Sequence, residues 1–132
     1  MLDLDHPLAV LDLEATGTDP ETARIIQVAT RLLEPSEHGP ILYDPFIAYI
    51  EGVDIPEHVQ DLTGITPETL EQRGSSLEWV LTRMSHYLTG ADVAGYNIIS
   101  YDWPLLVAEY ERADVPVPGP LDRTLVDAYT LE

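Results

Sequence analysis

The chain has 132 residues, with 6 Arg and no Lys against 24 Asp and Glu, a formal charge of −18; 45% of its residues are apolar and 23% charged, the make-up of a folded domain and not of a disordered or fibrous chain. Cysteine is absent, which excludes disulfide frameworks, zinc fingers and thiol nucleophiles. Charge interrupts every apolar run within about ten residues, far short of the roughly 20 needed to cross a bilayer. One domain over residues 1–132 is expected, and the acidic Met1-Leu2-Asp3-Leu4-Asp5 start, unlike a basic secretory signal, gives the expectation of a cytoplasmic protein. So negative a chain repels phosphates, and a nucleic-acid function would need metal ions to bridge the two.

Taken in chain order, Leu8 to Glu14 is a short apolar run that ends at Thr16-Gly17 and predicts a central strand. Arg24 to Leu33 and Ile41 to Ile50, rich in Ile, Val, Tyr and Thr after turn signals, predict two more strands and an antiparallel meander, with Pro45 at a bulge or an edge. Pro35 to Pro40 and Pro116 to Pro120 read as loops. Pro56 to Leu62 and Pro67 to Gln72 begin with Pro and an acidic residue and end near Gly64 and Gly74, as short helices do. From Ser76, apolar residues at Leu77, Val80, Leu81, Met84 and Leu88 give the one-sided spacing of an amphipathic helix stopped by Gly90. Asp92 to Gly95 predicts a brief buried strand, Asp102 to Arg112 a helix with Pro104 in its first turn, and Leu121 to Tyr129 a last strand. The order is mixed α/β with a parallel second half.

Asp12 and Glu14 are two residues apart on the first strand, so both carboxylates leave the same face at its carboxyl end. Such a pair persists out of water when something positive lies between its members, and oxygen-only donors favour Mg²⁺ or Mn²⁺. The plain alternatives are a solvated strand end, or Glu14 capping the following turn. Asp102 read alone is a helix N-cap, Asn97 a residue tolerant of a left-handed turn after Gly95, Arg24 a surface charge, and His6, His38, His58 and His86 surface or packing residues.

The segments Leu11-Asp12-Leu13-Glu14-Ala15-Thr16-Gly17 and Arg24 to Ala29 together resemble the first motif of the DEDD-type 3′→5′ exonucleases of the proofreading-subunit kind, with Ala15 where the usual D-x-E-T-T-G has its first Thr. Leu62-Thr63-Gly64-Ile65-Thr66-Pro67 resembles the segment after that family's third strand. Gly95-Tyr96-Asn97-Ile98-Ile99-Ser100-Tyr101-Asp102 is similar to its second motif, with Tyr96 in place of the commonest His and Tyr101 in place of Phe. Leu125-Val126-Asp127 resembles the last strand before the family's C-terminal helices. The resemblance implies a ribonuclease-H-like fold with a mixed five-stranded sheet whose first three strands are antiparallel. It implies two Mg²⁺ or Mn²⁺ ions on Asp12, Glu14 and Asp102, and a single-stranded DNA or RNA 3′ end against Ala15, Thr16, Gly17, Asn97 and Tyr101.

The family's third motif, a His or Tyr base followed by a fourth carboxylate, has no counterpart here: Tyr129 is followed only by Thr130, Leu131 and Glu132. The expectation is a partial domain with weak 3′→5′ exonuclease activity by itself. Two other readings stand beside it. One is a non-catalytic ribonuclease-H-like module docking to a DNA polymerase or another protein; the other is a homo-oligomer in which a second chain completes the helix layer.

Overall fold

The computed structural model describes residues 5–128. Four strands come first, followed by two short helices and then a mixed run, for seven strands, four α-helices and one π-helical turn among the described residues. β1 (Leu8–Ala15) pairs antiparallel with β2 (Ile25–Glu34), in a register that sets Leu13 against Val28 and Glu14 against Gln27. β3 (Ile41–Leu42) and β4 (Phe46–Ile50) both pair antiparallel with β2. β5 (Gly74–Ser75) then runs parallel to β4, β6 (Asp92–Gly95) parallel to β1, and β7 (Leu125–Asp127) parallel to β6. The sheet order is β5-β4-β2-β1-β6-β7, with β3 beside β2. Five of these, β1, β2, β4, β6 and β7, form the expected mixed sheet; β3 and β5 are two-residue additions to it.

The predicted third strand, Ile41 to Ile50, is interrupted, and Pro45 lies in the break between β3 and β4, because proline has no N–H to give a ladder. The predicted last strand shrinks to Leu125–Asp127. Arg123, ahead of it, instead turns its guanidinium onto the carbonyls of Leu88 and Ala91, and Tyr129 lies outside the described residues.

The helices form where caps and apolar stripes coincide. α1 (Glu57–Thr63) ends at Gly64, whose φ of 74° suits the residue without a Cβ. α2 (Pro67–Arg73) starts in a reciprocal cap between Thr66 and Thr69. In α3 (Leu77–Leu88), Ser76 caps the first turn through Trp79 N–H at 3.1 Å, and Val80, Leu81, Met84 and Leu88 are buried. Each such side chain contributes roughly 1.5–3 kcal/mol on burial. α4 (Trp103–Arg112) adds Leu105, Leu106 and Tyr110 to the same core, which covers Leu11 and Leu13 of β1 and Val93 of β6. A second cluster of Ile26, Ile55, Val59, Ile65 and Leu70 holds α1 and α2 to the sheet. The core therefore fixes the carboxyl end of β1 between two independently packed walls, α1 on one side and the start of α4 on the other.

Candidate active site

Strand alternation buries Leu11 and Leu13 and leaves Asp12 exposed and Glu14 half-buried on the opposite face. Ala15 ends the strand at a register shift, opposite Ile25. Thr16 then closes a turn that runs to Arg24: its N–H donates to the Arg24 carbonyl at 2.9 Å, and its Oγ1 accepts the Arg24 N–H at 2.9 Å. Gly17 offers its carbonyl to the Tyr101 hydroxyl.

The second group of candidate residues is carried by a tight bend after β6. Gly95 lies so close to β1 that a Cβ there would stand 2.7 Å from the Leu11 carbonyl oxygen and 3.2 Å from Ile98 Cδ1. Asn97 adopts the left-handed conformation, φ 59° and ψ 35°, as its sequence position allows. From it starts a π-helical turn, Ile98–Asp102, which runs directly into α4. Asp127 pins this bend: its two carboxylate oxygens accept the N–H groups of Asn97 at 3.0 Å and of Ile99 at 3.2 Å.

Asp102 stands at the junction of π turn and α4, 6% exposed, and its side chain does not cap the helix. The carboxyl faces β1 instead. Burial first and the Asp12 charge second push it up to about 7, with Glu14 and Asp127 adding to the rise and a hydrogen bond from the Leu13 backbone opposing it. Glu14 is also raised, by its own burial and then by Asp12. The hydroxyl of Tyr101 is held in its neutral form by burial and by the Asp102 and Glu14 charges, and so remains a donor. Charges act on one another this strongly only at short range in a partly dry site. Asp102 thus stands at the N-cap position expected for it without its side chain capping, and Arg24, on the surface as expected, also contacts Glu109 through its Nε at 3.3 Å.

Beside these carboxylates lies a cleft of about 350 Å³. One wall is Leu13, Glu14, Ala15, Gly17 and Thr18; the other is His58, Val59, Leu62 and Thr63 of α1, with Tyr101 between them. His58, assigned from sequence to the surface or to packing, is exposed on α1 and also lines this cleft. Its signal was the four-residue spacing to Leu62, which sets both on one helix face.

The donor set, oxygen atoms of three acidic side chains, is of the kind hard divalent cations take, and a cation would relieve the repulsion by Asp12 that adds to the effect of burial on Asp102 and Glu14. Among the described residues, no three Asp, Glu or His side chains are yet drawn together tightly enough to hold an ion.

The profile of the RNase_T family, described as exonuclease, matches residues 9–131. The chain is 27% identical over 128 residues to the PolC-type DNA polymerase III of Mycoplasma genitalium, a match covering 96% of this chain and 8% of that protein. With the DNA polymerase III subunit epsilon of Aquifex aeolicus it shares 34% identity over 96 residues, 72% of this chain and 45% of the relative. The chain thus spans less than half the length of either relative. Among solved structures, the zinc-bound complex of E. coli exonuclease I with single-stranded DNA superposes with a TM-score of 0.78 at 21% identity, covering 93% of this chain and 28% of that one.

Proposed function

The chain belongs to the RNase_T exonuclease family, and from that membership we propose that it forms a single exonuclease domain which removes nucleotides from the 3′ end of single-stranded DNA, with Mg²⁺ or Mn²⁺ held by Asp12, Glu14 and Asp102. One observation carries this reading: Asp12, Glu14 and Asp102 act on one another beside a nucleotide-sized cleft, where burial first and the Asp12 charge second raise Asp102 to about 7. When bound, a pair of divalent ions supplies charge that activates water and stabilises the leaving 3′ oxygen in phosphodiester hydrolysis.

The remaining work falls to the chain's own groups. Leu13, Val59 and Leu62 offer apolar surface to a terminal base, and the Ala15–Thr18 backbone meets its sugar and phosphate. Tyr101 holds Gly17 by its hydroxyl and presents its ring to the same cleft. The bend built on Asn97 keeps Asp102 against β1. DNA is the substrate favoured by the relatives' names, both of which denote DNA polymerase III proteins, and a polymerase is accordingly the partner proposed.

The test is calorimetric titration of Mn²⁺ into the chain and into Asp12→Ala, with digestion of a 5′-labelled single strand in the same buffer and an RNA strand of the same sequence alongside. Ion binding and a ladder shortening from the 3′ end, both lost in Asp12→Ala, are expected. A wild-type chain that binds no ion and leaves the strand intact overturns the reading. A second reading, the non-catalytic module that docks to a polymerase, is favoured by the absence of a gathered ion-holding triad among the described residues; it predicts Mn²⁺ binding or none, and in both cases no shortening of the strand.

A further inference from the structure

Glu109 is a fully buried carboxylate on α4, and nothing in the chemistry proposed so far uses it. It lies seven residues after Asp102 in the sequence, close to two helical turns, so both project from one side of the same helical unit. Its Oε2 accepts the Ile25 N–H at 2.9 Å. Its Oε1 accepts Arg24 Nε at 3.3 Å and Arg112 Nε at 2.7 Å, with Arg112 Nη2 2.6 Å away. Arg112 extends the grip by donating to the Ala23 carbonyl at 3.0 Å and to the Glu21 carbonyl at 3.4 Å.

Apart from Arg112, which lies on α4 itself, all the residues so held belong to one piece of chain, the second half of the turn from Thr16 to Ile25. Its first half is tied to the second by the paired Thr16 and Arg24 hydrogen bonds, and to the π-helical turn that leads into α4 by Tyr101 on Gly17. A helical unit that carries Asp102 at one end thus holds both halves of the turn, Gly17 through Tyr101 and Arg24–Ile25 through Glu109. A packed apolar side chain at position 109 would serve stability as well as a buried ion pair does. What it could not do is fix the direction and distance of four separate donor atoms.

We propose that Glu109 is a positioning residue for the proposed exonuclease reaction: through Arg24, Ile25 and Arg112 it locks the Thr16–Arg24 turn, and hence the Ala15–Thr18 wall of the cleft, at a set separation from Asp102, so that a 3′-terminal nucleotide is seated in register with the carboxylates. This inference rests on the cleft being that nucleotide's seat. It assigns Glu109 to substrate placement and leaves ion binding to Asp12, Glu14 and Asp102.

Glu109→Gln keeps the shape of the side chain but brings an amide against two guanidinium groups. Arg112→Met, at a partly exposed position, leaves Glu109 in place and removes the hold on the Glu21 and Ala23 carbonyls; it serves where Glu109→Gln does not fold. Hydrogen exchange of the Thr16, Arg24 and Ile25 amides is expected to quicken by about tenfold or more in either variant, while the ladder around Leu13 and Val28 keeps its protection. Toward an oligo-dT strand with Mn²⁺, KM should rise about tenfold and kcat stay within about threefold, the pattern of lost uniform binding, with the Mn²⁺ titration midpoint unmoved. Turn amides that exchange as in wild type, or a loosened turn with unchanged KM, overturn the proposal. A wild-type chain that binds oligo-dT without digesting it removes the exonuclease reading instead; exchange rates and the affinity for that strand then decide the role of Glu109.

Discussion

Asp102 is a carboxyl buried among carboxyls, and its titration has a calculable sign. The folded chain holds its proton up to about pH 7, whereas the unfolded chain releases it near the ordinary Asp value of 3.8. Between those limits the folded state binds more protons than the unfolded one, so stability declines as pH rises. The contribution is fully present below about pH 4 and gone above about pH 7. In a metal-free chain the cost of ionising this group is on the order of 1–4 kcal/mol, and Asp102→Asn removes it. The expected result is a higher Tm for Asp102→Asn at pH 8 in EDTA and little difference at pH 4, followed by calorimetry across that range. Asp12→Asn shifts the same way by a smaller amount, since Asp12 is the leading charge acting on Asp102. Adding Mn²⁺ reverses the order, because only wild type then gains stability from the ion, and Asp102→Asn should lose at least about 100-fold in strand digestion. Equal melting of wild type and Asp102→Asn at pH 8 would contradict the repulsion. Residues of this kind were legible because Asp12 and Glu14 sit within one strand and Asp102 within one short segment. Glu109 was not, since its partners Arg24 and Ile25 lie 85 and 84 residues away and only folding brings them together.

Elements decide how well those residues are aimed, and the bend from Gly95 to Asp102 carries the most constraint. Asn97 in the left-handed region costs little for Asn and roughly 1–2 kcal/mol for a residue such as Ala. Two otherwise unpaired N–H groups of this bend end on Asp127, and an orphaned donor costs about 1–3 kcal/mol. Asp127→Ala should therefore lower unfolding free energy by about 2–4 kcal/mol in urea, with much of the loss absent in Asp127→Asn, whose amide oxygen still accepts one bond. Gly95→Ala is expected to cost about 1–3 kcal/mol by overpacking against Leu11 and Ile98, and to reduce strand digestion as the bend is displaced; an unchanged urea midpoint would mean the backbone there yields freely. Helix α3 was readable from its apolar spacing and the Gly90 stop, both local properties. The breaking of Ile41 to Ile50 at Pro45 was legible as a bulge or an edge but not as two strands, because that depends on β2 accepting both pieces. The π turn before α4 was not legible in the sequence: Pro104 announces a helix start, while the i→i+5 turn over Ile98–Asp102 depends on how the bend packs.

At the scale of the whole molecule, a charge of −18 opposes any approach by a polyanion, so the way a strand is bound must differ from that of a basic nucleic-acid binder. Arg24 and Arg112, two of the six cations, are committed to Glu109, and Arg123 is turned onto backbone carbonyls and the Trp103 ring. Few side-chain cations are left to displace counterions from phosphate. Binding of oligo-dT in the presence of Mn²⁺ should then weaken only gently with KCl, with a log–log slope of about −0.7 to −1.5, the equivalent of one or two neutralised phosphates on a single strand. Chelating the metal should abolish that binding at every salt concentration and not merely shift its midpoint, because in the proposed reaction the ions would bridge carboxylates and phosphate. KCl should meanwhile raise the Tm of the metal-free chain as it screens the repulsion among 24 acidic side chains. Opposite responses to salt, weaker binding with greater stability, follow from one charge distribution. A slope as steep as that of a basic binder would require a cationic surface that the six arginines do not provide, since Arg31 also donates to the Tyr43 carbonyl and Arg73 and Arg83 lie over the Tyr49 and Trp79 rings.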